Sequence, residues 1–368
     1  MNHKKNILKK ILLIGPLPPP VTGEALCNEA VVRRLGDDPD VSMDVINTST
    51  GFFDENPGKI RLAKIWLNLK KYVYLYKIPR SDIVYITLGQ TFFGLLKFFP
   101  YLLTAKLAGK HTVVHIHGNS LHLVYEALTG IRKTIFRRIV SMADEGIVLS
   151  ENLKHNLDYF LPAEKIHTLN NFVDDKLLPE NKDVIREKDF NGLRILFLSN
   201  LMRKKGIFEL LEALEILDRE GVEYSAVLAG NIDDAVKSSV LEKIDRLPKV
   251  SYIGTVTGKQ KKEVFLRSNV FILPTYHRGE GQPLSVLEAM GTGNLVITTE
   301  YPGITDVFDE NQVIYIDKKS VPAIVRTLKN LSATLPQYKE RILKNYDYIV
   351  SNFTEDRFIS GLKKILRV

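Results

Sequence analysis

Short runs of apolar, often β-branched residues alternate along the chain with longer stretches in which apolar positions recur every three or four residues. The short runs are typical of buried parallel strands and the longer stretches of amphipathic helices, so the pattern predicts β–α–β units. The series begins again near residue 193, which predicts two doubly wound parallel sheets. The predicted strands span residues 11–14, 42–46, 83–86, 112–117, 146–149 and 165–169 in the first half and 194–198, 225–229, 250–253, 270–273, 295–298 and 313–316 in the second.

A length of 368 residues fits two domains, each large enough to bury its own core. The polar stretch 171–192 carries Pro179 and is predicted as a linker. Ligands of open parallel sheets bind beyond the carboxyl ends of the strands, so two facing domains would share one central cleft. The predicted organisation is a first domain over 1–170, a second domain over 193–345, and a C-terminal helix over 346–368 that could cross back to the first domain.

The composition is that of a globular protein, with 45% hydrophobic and 26% charged residues, and the net charge of +8 is mild for this length. A single cysteine, Cys27, excludes an internal disulfide and fits a reducing compartment. The most apolar stretch, 91–107, is interrupted by Lys97, Pro100 and Lys106 and is too short to span a bilayer. We therefore expect a cytoplasmic protein without a transmembrane helix.

The window 61–80 differs from the rest of the chain because it contains cations and aromatic residues but no acid. This composition is typical of a helix at the surface of an anionic membrane, and it predicts a peripheral contact. The alternative is a solvated helix whose aromatic side chains pack inward. The cations are Arg61, Lys64, Lys70, Lys71, Lys77 and Arg80, and the aromatic residues are Trp66, Tyr72, Tyr74 and Tyr76.

The segment GEGQPLSVLEAMGTG follows a predicted strand and places Glu280 eight residues before Glu288. Pro283 suits the first turn of a helix, so a glycine-containing loop opens a helix whose free amides can bind an anion or hydroxyls. The two carboxylates can then contact different parts of one elongated ligand. The residues predicted to bind it are Glu280, Gly281, Gln282, Pro283, Leu284 and Glu288.

This segment resembles the E-x7-E motif of the retaining glycosyltransferases of family 4, which have the GT-B fold, and the resemblance extends over nearly the whole chain. It implies an α/β protein of two Rossmann-like domains, in which the domain over 1–170 binds the acceptor and the domain over 193–345 binds a nucleotide sugar as donor. In the family the first glutamate, matching Glu280, binds hydroxyls of the donor sugar. The second, matching Glu288, binds the ribose of the nucleotide.

A second resemblance lies in LFLSNLMRKKG, where a predicted strand leads through a basic loop into a helix. Lys205 matches the phosphate-binding lysine of the family. Asn200 stands where the family usually has arginine, and Arg203 is close enough to supply the missing charge. Cations at these positions would stabilise the diphosphate as the glycosidic bond breaks.

The loops after the first and fourth predicted strands complete the predicted site. PLPPPVTGE resembles the family's glycine-rich first loop and places Gly23 near the donor phosphate or the acceptor. His117 in HIHG resembles the active-site histidine that meets the donor sugar, and His115 points the same way along the strand. Together with Glu280 and Lys205, His117 is a predicted catalytic residue.

Other interpretations of these residues are weaker. His115 and His117 have no cysteine or carboxylate near them in sequence to complete a metal site. Asp38 and Asp40 satisfy a D-x-D pattern but lie in a predicted turn, so no metal is expected. The first loop lacks G-x-G-x-x-G, which argues against a nicotinamide-dependent enzyme.

The resemblance therefore implies a metal-independent, retaining hexosyltransferase that uses no cofactor beyond its nucleotide-sugar co-substrate. UDP-sugar is the first expectation for the donor and GDP-sugar the second. A glycan or lipid-linked glycan of bacterial surface polysaccharide is the expected acceptor, and no nucleic acid is expected as a partner. Two alternatives stay open, a catalytically silent nucleotide-sugar-binding protein and a glycoside hydrolase that uses Glu280 and Glu288.

Overall fold

The computed structural model describes residues 8–49 and 69–368, which form two compact units. The first unit comprises Met1–Asn171, Gly279–Gln282 and Asp356–Val368, and the second comprises Phe172–Arg278 and Pro283–Glu355. In the described residues each unit contains one six-stranded parallel sheet with helices packed on it. The prediction of two doubly wound, Rossmann-like sheets is confirmed.

The sheet of the first unit has the order β2-β1-β3-β4-β5-β6. Its central strands are apolar along their whole length because helices cover both faces, as in β3, where all five residues are buried. Strand β1 pairs in parallel with both β2 and β3, so the order in which strands are added reverses at β1. The strands are β1 (Lys9–Gly15), β2 (Val41–Asn47), β3 (Ile83–Thr87), β4 (His111–Ile116), β5 (Glu145–Val148) and β6 (Ile166–Thr168).

Helices connect these strands, and several begin at a side-chain cap. Thr22 caps α1 by accepting a hydrogen bond from the amide of Ala25, and Thr91 caps α2 through the amide of Gly94. The helices are α1 (Gly23–Gly36), α2 (Phe92–Leu96), α3 (Phe99–Leu107), α4 (Leu121–Ala127) and α5 (Gly130–Val140), with 3-10 helices at Tyr72–Arg80, Glu151–Asn156 and Ala163–Lys165.

The sheet of the second unit has the order β12-β11-β10-β7-β8-β9. Strand β7 pairs with β10 on one side and β8 on the other, which makes it the point where the strand order reverses. In such sheets ligands bind beyond the carboxyl ends of the strands at this point. The strands are β7 (Leu193–Leu198), β8 (Tyr224–Ala229), β9 (Val250–Tyr252), β10 (Val270–Leu273), β11 (Leu295–Thr298) and β12 (Ile314–Tyr315).

The stretch 171–192, predicted as a linker, contributes to the core of the second unit. Val173, Leu177 and Ile185 are buried there, and Phe190 precedes β7. The helices of this part of the chain are α6 (Asp183–Arg186), α7 (Ile207–Arg219), α8 (Lys237–Asp245), α9 (Gly258–Arg267), α10 (Leu284–Gly291), α11 (Pro302–Thr305), α12 (Val321–Thr334) and α13 (Lys339–Asn352), with 3-10 helices at Arg203–Lys205 and Leu335–Tyr338.

The last helix, α14 (Glu355–Leu366), packs within the first unit from Asp356 onward. Arg34 of α1 forms an ion pair with Asp356, and Lys363 forms one with Asp38 just after α1. The apolar face of α14 is buried through Phe358 and Leu362.

The basic window 61–80 lies only partly in the described residues, since Arg61, Lys64 and Trp66 fall outside them. Tyr72–Arg80 forms a 3-10 helix with Pro79 inside it. Proline lacks an amide hydrogen, so Pro79 removes one backbone hydrogen bond from the last turn of this helix. No helix in 8–49 or 69–368 has the length and apolar character to cross a membrane.

Candidate functional site

The predicted site residues of the first unit lie at the carboxyl ends of its central strands. His117 and Gly118 follow β4 directly, and the segment Gly279–Gln282 packs against them within the same unit. The amide of Asn119 donates a hydrogen bond to the carbonyl of Gly279 over 3.0 Å. Glu280 therefore lies beside the end of β4 and is 8% exposed.

Two glycines permit this close approach of backbone to backbone. A Cβ atom at Gly281 would lie 2.5 Å from the carbonyl oxygen of His117. A Cβ atom at Gly118 would lie 2.9 Å from the carbonyl oxygen of Gly279 and 2.5 Å from the side-chain nitrogen of Gln90. All three distances are shorter than van der Waals contact, so glycine is required at both positions for steric reasons.

His115 on β4 and His117, which directly follows the strand, form an uncharged pair in which His115 is fully buried and the ring nitrogens of His117 are buried. Their ring centroids are 4.0 Å apart, and Nδ1 of His115 lies 2.6 Å from the hydroxyl of Tyr85 on β3. Burial lowers the pKa of His115 far below its usual range and lowers the pKa of His117 to about 3. Among the described residues no hydrogen-bond partner is found for either ring nitrogen of His117. A neutral imidazole of this kind can exchange hydrogen bonds with a sugar hydroxyl.

Gln282 has a structural role that the sequence did not indicate. Its side-chain oxygen accepts a hydrogen bond from the amide of Asn171, and its carbonyl accepts one from the Asn171 side chain, both over 2.6 Å. The thiol of Cys27 in turn donates to Asn171 over 3.3 Å. Cys27 is buried, and its thiol anchors the residue that fixes the loop.

The first loop places Gly23 at the exposed first position of α1. The next residue, Glu24, forms a hydrogen bond with Thr87 at the end of β3. Burial raises the pKa of the Glu24 carboxyl, while the hydrogen bond with Thr87 and the charge of Lys97 act in the opposite direction. A carboxyl group thus lies at the same edge of the sheet as His117, and the sequence prediction missed it.

In the second unit the predicted basic loop follows β7. Asn200 lies between the strand and the short 3-10 helix Arg203–Lys205, and Gly206 then begins α7 with a φ of +79°. A Cβ atom at Gly206 would lie 2.2 Å from the carbonyl oxygen of Pro274, so only glycine fits this turn. Lys205 therefore stands at the amino terminus of a 13-residue helix, where anions are favoured.

The other members of this loop are positioned by contacts within the unit. The Arg203 guanidinium lies over the ring of Phe208, 4.3 Å from its centroid, and remains exposed. The backbone carbonyl of Lys204 accepts a hydrogen bond from the amide of Tyr276, which follows β10. Because β10 and β7 are paired, the basic loop and the start of α10 lie at the same edge of the sheet.

Glu288 lies on α10 and is almost completely buried, at 2% exposure. One carboxylate oxygen, Oε1, is 2.6 Å from the ammonium nitrogen of Lys261 on α9. The other, Oε2, is buried, and no partner for it is found in the described part of the chain. A carboxylate held at one oxygen by a cation leaves the second oxygen able to accept hydrogen bonds from a ligand.

A second lysine, Lys188, binds the carboxyl end of α10. The ammonium of Lys188 donates hydrogen bonds to the carbonyls of Phe265, Thr292 and Gly293 over 2.9 to 3.0 Å. Carbonyl groups left without partners at a helix carboxyl end are satisfied in this way by a cation. Lys188 and Lys261 together fix the position of the helix that carries Glu288.

The D-x-D pattern forms a turn, as predicted. Asp38 is engaged with Lys363, and its Oδ1 accepts a hydrogen bond from the amide of Asp40. These contacts lower the pKa of the Asp38 carboxyl, with the hydrogen bond from Lys363 as the main cause. Within 8–49 and 69–368, no group of three or more histidine, cysteine or acidic side chains is placed to hold a metal ion.

Comparison with known protein families gives one match to a family model. Residues 180–346 match the model described as glycosyl transferases group 1. The matched range contains the basic loop with Lys205 and both glutamates of the E-x7-E segment.

Curated relatives agree with this match. The chain is 28% identical over 231 residues to the putative teichuronic acid biosynthesis glycosyltransferase TuaC of Bacillus subtilis, covering 59% of this chain and 54% of that protein. It is 26% identical over 216 residues to the amylovoran biosynthesis glycosyltransferase AmsK of Erwinia amylovora, covering 56% of this chain and 50% of that protein. The chain thus spans about half the length of these relatives.

Solved structures share the fold over nearly the full length. HepE of Anabaena, determined in complex with UDP and glucose, superposes with a TM-score of 0.74 at 14% identity, covering 98% of this chain and 99% of that chain. Sucrose-phosphate synthase from Thermosynechococcus elongatus superposes with a TM-score of 0.73 at 17% identity, covering 98% of each chain. The predicted GT-B fold class is confirmed, and the family match and relatives support a glycosyltransferase.

Proposed function

We propose that this chain is a retaining glycosyltransferase that moves a sugar from a nucleoside diphosphate sugar to a glycan or lipid-linked glycan of a bacterial surface polysaccharide. The match of residues 180–346 to the glycosyl transferases group 1 model carries the proposal. The buried carboxylate of Glu288, with one oxygen paired and the other oriented without a partner among the described residues, supports it because such a group binds ribose hydroxyls well.

In the proposed mechanism the donor binds through its diphosphate to Lys205 and Arg203, through its ribose to Glu288 and through its sugar to Glu280. The bond between the anomeric carbon and the phosphate oxygen breaks, and the acceptor oxygen bonds to the same face of that carbon. The acceptor proton passes to the departing phosphate. The protein contributes position and cationic stabilisation of the leaving group rather than a nucleophile.

His117 is proposed to meet the donor sugar as a neutral hydrogen-bonding group. Its depressed pKa and buried ring nitrogens suit this task better than a role as a charged acid. No metal is assigned, because Lys205 and Arg203 are proposed to neutralise the diphosphate. UDP is proposed as the leaving group first and GDP second.

A lipid-linked acceptor would be met at the membrane, and we assign a peripheral contact to the window 61–80 at the cytoplasmic face. Within its described part, Lys77 and Arg80 end a 3-10 helix that exposes Tyr74 and Tyr76. Cations and amphipathic aromatic side chains together are typical of membrane interfaces.

Release of nucleoside diphosphate from a panel of nucleotide sugars tests the proposed function. A glycosyltransferase releases nucleoside diphosphate from one of the nucleotide sugars, and the rate of release rises when an acceptor glycan is added. A silent binding protein would bind a donor without releasing diphosphate. A glycoside hydrolase would cleave an aryl glycoside and ignore every nucleotide sugar.

A further inference from the structure

A row of polar side chains lies on one face of the first unit's sheet, at the carboxyl ends of β3 and β4. Thr87, the last residue of β3, pairs in register with His115 of β4, and His117 lies two residues further along. Residues two apart on a strand share a face, so Tyr85 and Thr87 lie on one face of β3 and His115 and His117 on one face of β4. The contact between Tyr85 and His115 shows that these are the same face of the sheet.

Helix α1 brings the carboxyl group of Glu24 to this face. The amino end of the helix is already capped by Thr22, which accepts a hydrogen bond from the amide of Ala25 over 3.1 Å, so Glu24 is not needed as a cap. The Glu24 side chain instead forms a hydrogen bond with Thr87. Since neighbouring strands are about 4.8 Å apart, the Glu24 carboxyl lies roughly one to two strand spacings from His117.

The direction of each hydrogen bond in this series follows from its donors. The amide nitrogen of Asn28 donates to the carbonyl of Pro16 over 2.9 Å and to the hydroxyl oxygen of Thr87 over 3.0 Å. The Thr87 hydroxyl then offers its own hydrogen to Glu24, and this bond lowers the pKa of the carboxyl, as a hydrogen bond donated to a carboxylate does. The Glu24 carboxylate is therefore held as a hydrogen-bond acceptor at the edge of the sheet.

Burial separates the members of the series into supports and a contact group. Asn28 and Thr87 are fully buried, whereas Glu24 is half-buried, so part of its side chain is accessible. A Cβ atom at Gly15, the last residue of β1, would lie 2.2 Å from the Thr87 hydroxyl oxygen and 2.6 Å from the Asn28 amide nitrogen, so only glycine leaves room for both. The buried pair fixes the position of Glu24, which is the member able to contact a ligand.

We propose that the Glu24 carboxylate binds two neighbouring hydroxyl groups of the acceptor sugar and thereby selects the acceptor. The inference rests on the proposed sugar transfer, in which His117 and Glu280 hold the donor sugar at the same edge of the first unit. The acceptor sugar must lie directly beside the donor sugar, and Glu24 lies beside His117. A carboxylate has about four lone-pair sites, of which Thr87 occupies one, so enough remain for two hydroxyls. The reacting hydroxyl is a third one, because its proton passes to the departing phosphate.

Transfer to the methyl glycosides of glucose, galactose, mannose and N-acetylglucosamine tests this assignment, using wild type, Glu24→Gln and Glu29→Gln. Glu29 is an exposed acid on the same helix and is the matched control, so Glu29→Gln should behave as wild type does. Because hydrogen bonds to a charged group are lost, Glu24→Gln should raise KM for the preferred glycoside by about tenfold or more and KM for the nucleotide sugar by less than about twofold. Equal acceptor KM values in all three proteins, or an equal rise in both KM values for Glu24→Gln, would overturn the proposal.

Deoxy derivatives of the preferred glycoside identify the two hydroxyls. In wild type, removal of either of two neighbouring hydroxyls should raise the acceptor KM by about tenfold. In Glu24→Gln the same removals should have little further effect, since their partner is already lost. Equal penalties in both proteins would show that Glu24 does not contact these hydroxyls, and the assignment would then be wrong.

Failure of the proposed function gives a different result from failure of this assignment. If wild type releases no nucleoside diphosphate from any nucleotide sugar, the proposed transfer itself is wrong. Binding of the same glycosides, measured by saturation-transfer NMR without nucleotide sugar, reports on Glu24 separately. Wild type and Glu29→Gln should bind a glycoside, and Glu24→Gln should bind it at least about tenfold more weakly. Equal binding by wild type and Glu24→Gln, or binding of none of the glycosides by wild type, would overturn the assignment.

Discussion

At the scale of single residues, the neighbouring Lys204 and Lys205 are expected to differ in their contribution to donor binding. Lys205 stands immediately before Gly206 and the amino terminus of α7, whereas Lys204 is exposed and contributes its backbone carbonyl to Tyr276. Lys205→Ala should therefore lower kcat for sugar transfer by about 10²- to 10³-fold, since a preorganised cation at the leaving group is lost. Steady-state kinetics with Lys204→Ala as the matched control checks this, and equal effects of the two substitutions would contradict it.

Glu288 and Lys261 should also be coupled in stability. Glu288 is buried and the Lys261 side chain is only 12% exposed, so Lys261→Met leaves a buried carboxylate without its cation and should reduce the free energy of unfolding by about 3–5 kcal/mol. The double variant Lys261→Met with Glu288→Leu removes both charges and should regain most of that loss. Urea unfolding of the wild type, both single variants and the double variant measures the coupling. A double variant as unstable as Lys261→Met would show that the pair does not act as a unit.

The neutral state of His117 predicts a pH dependence of stability. Its pKa is about 3 in the folded chain and about 6.5 when unfolded, so acidification below pH 6.5 adds protons to the unfolded state only. Stability is full above pH 6.5 and is lost progressively as the pH falls toward 3. Between pH 7 and pH 5 this histidine should cost about 2 kcal/mol. In urea unfolding, His117→Asn should show a smaller loss over that interval than wild type, and an equal loss in both would contradict the assignment.

At the scale of elements, the segment Gly279–Gln282 depends on backbone contacts with the end of β4. A methyl group at Gly281 would meet the His117 carbonyl, so Gly281→Ala should displace the loop. We expect a loss of about 1–3 kcal/mol in stability from this overpacking, with a large fall in activity because Glu280 moves with the loop. Gly36→Ala is the matched control, since a Cβ atom there meets nothing within 4 Å and its φ is ordinary. Wild-type melting and turnover in Gly281→Ala would refute the steric argument.

The strands were predictable because burial on both faces selects continuous apolar runs, as in β3 and β10. The role of Lys261 could not be predicted from the sequence. The α9 sequence GKQKKEVFLR contains several lysines, and only the packing of α9 against its neighbours determines which of them pairs with Glu288. The stretch 171–192 looks like a linker in sequence, since its buried residues are separated by polar ones without a regular period. The position of Glu24 was not predicted either, because its contact with Thr87 joins residues that are far apart in the chain.

At the scale of the whole molecule, the chain has two Rossmann-like units, and residues 180–346 match the glycosyl transferases group 1 model. The reaction to be tested is therefore sugar transfer. The proposed transfer relies on Lys205 and Arg203 for charge neutralisation, so chelation should not affect it. EDTA is expected to leave the rate of diphosphate release unchanged. Complete loss of activity that manganese restores would revive Asp38 and Asp40 as metal ligands and remove the proposed role of the basic loop.

The central claim is that the chain transfers a sugar from a nucleotide sugar bound through Glu288. The most direct test measures nucleoside diphosphate release from the preferred nucleotide sugar by wild type, Glu288→Gln and Glu263→Gln. Glu288→Gln retains the shape of the buried side chain but loses the carboxylate paired with Lys261. Glu263→Gln changes an exposed glutamate on α9 and is the matched control. The account predicts acceptor-dependent release by wild type and Glu263→Gln and a fall of at least about 10²-fold in kcat/KM for Glu288→Gln. No release from any nucleotide sugar by wild type, or equal rates for all three proteins, would contradict it.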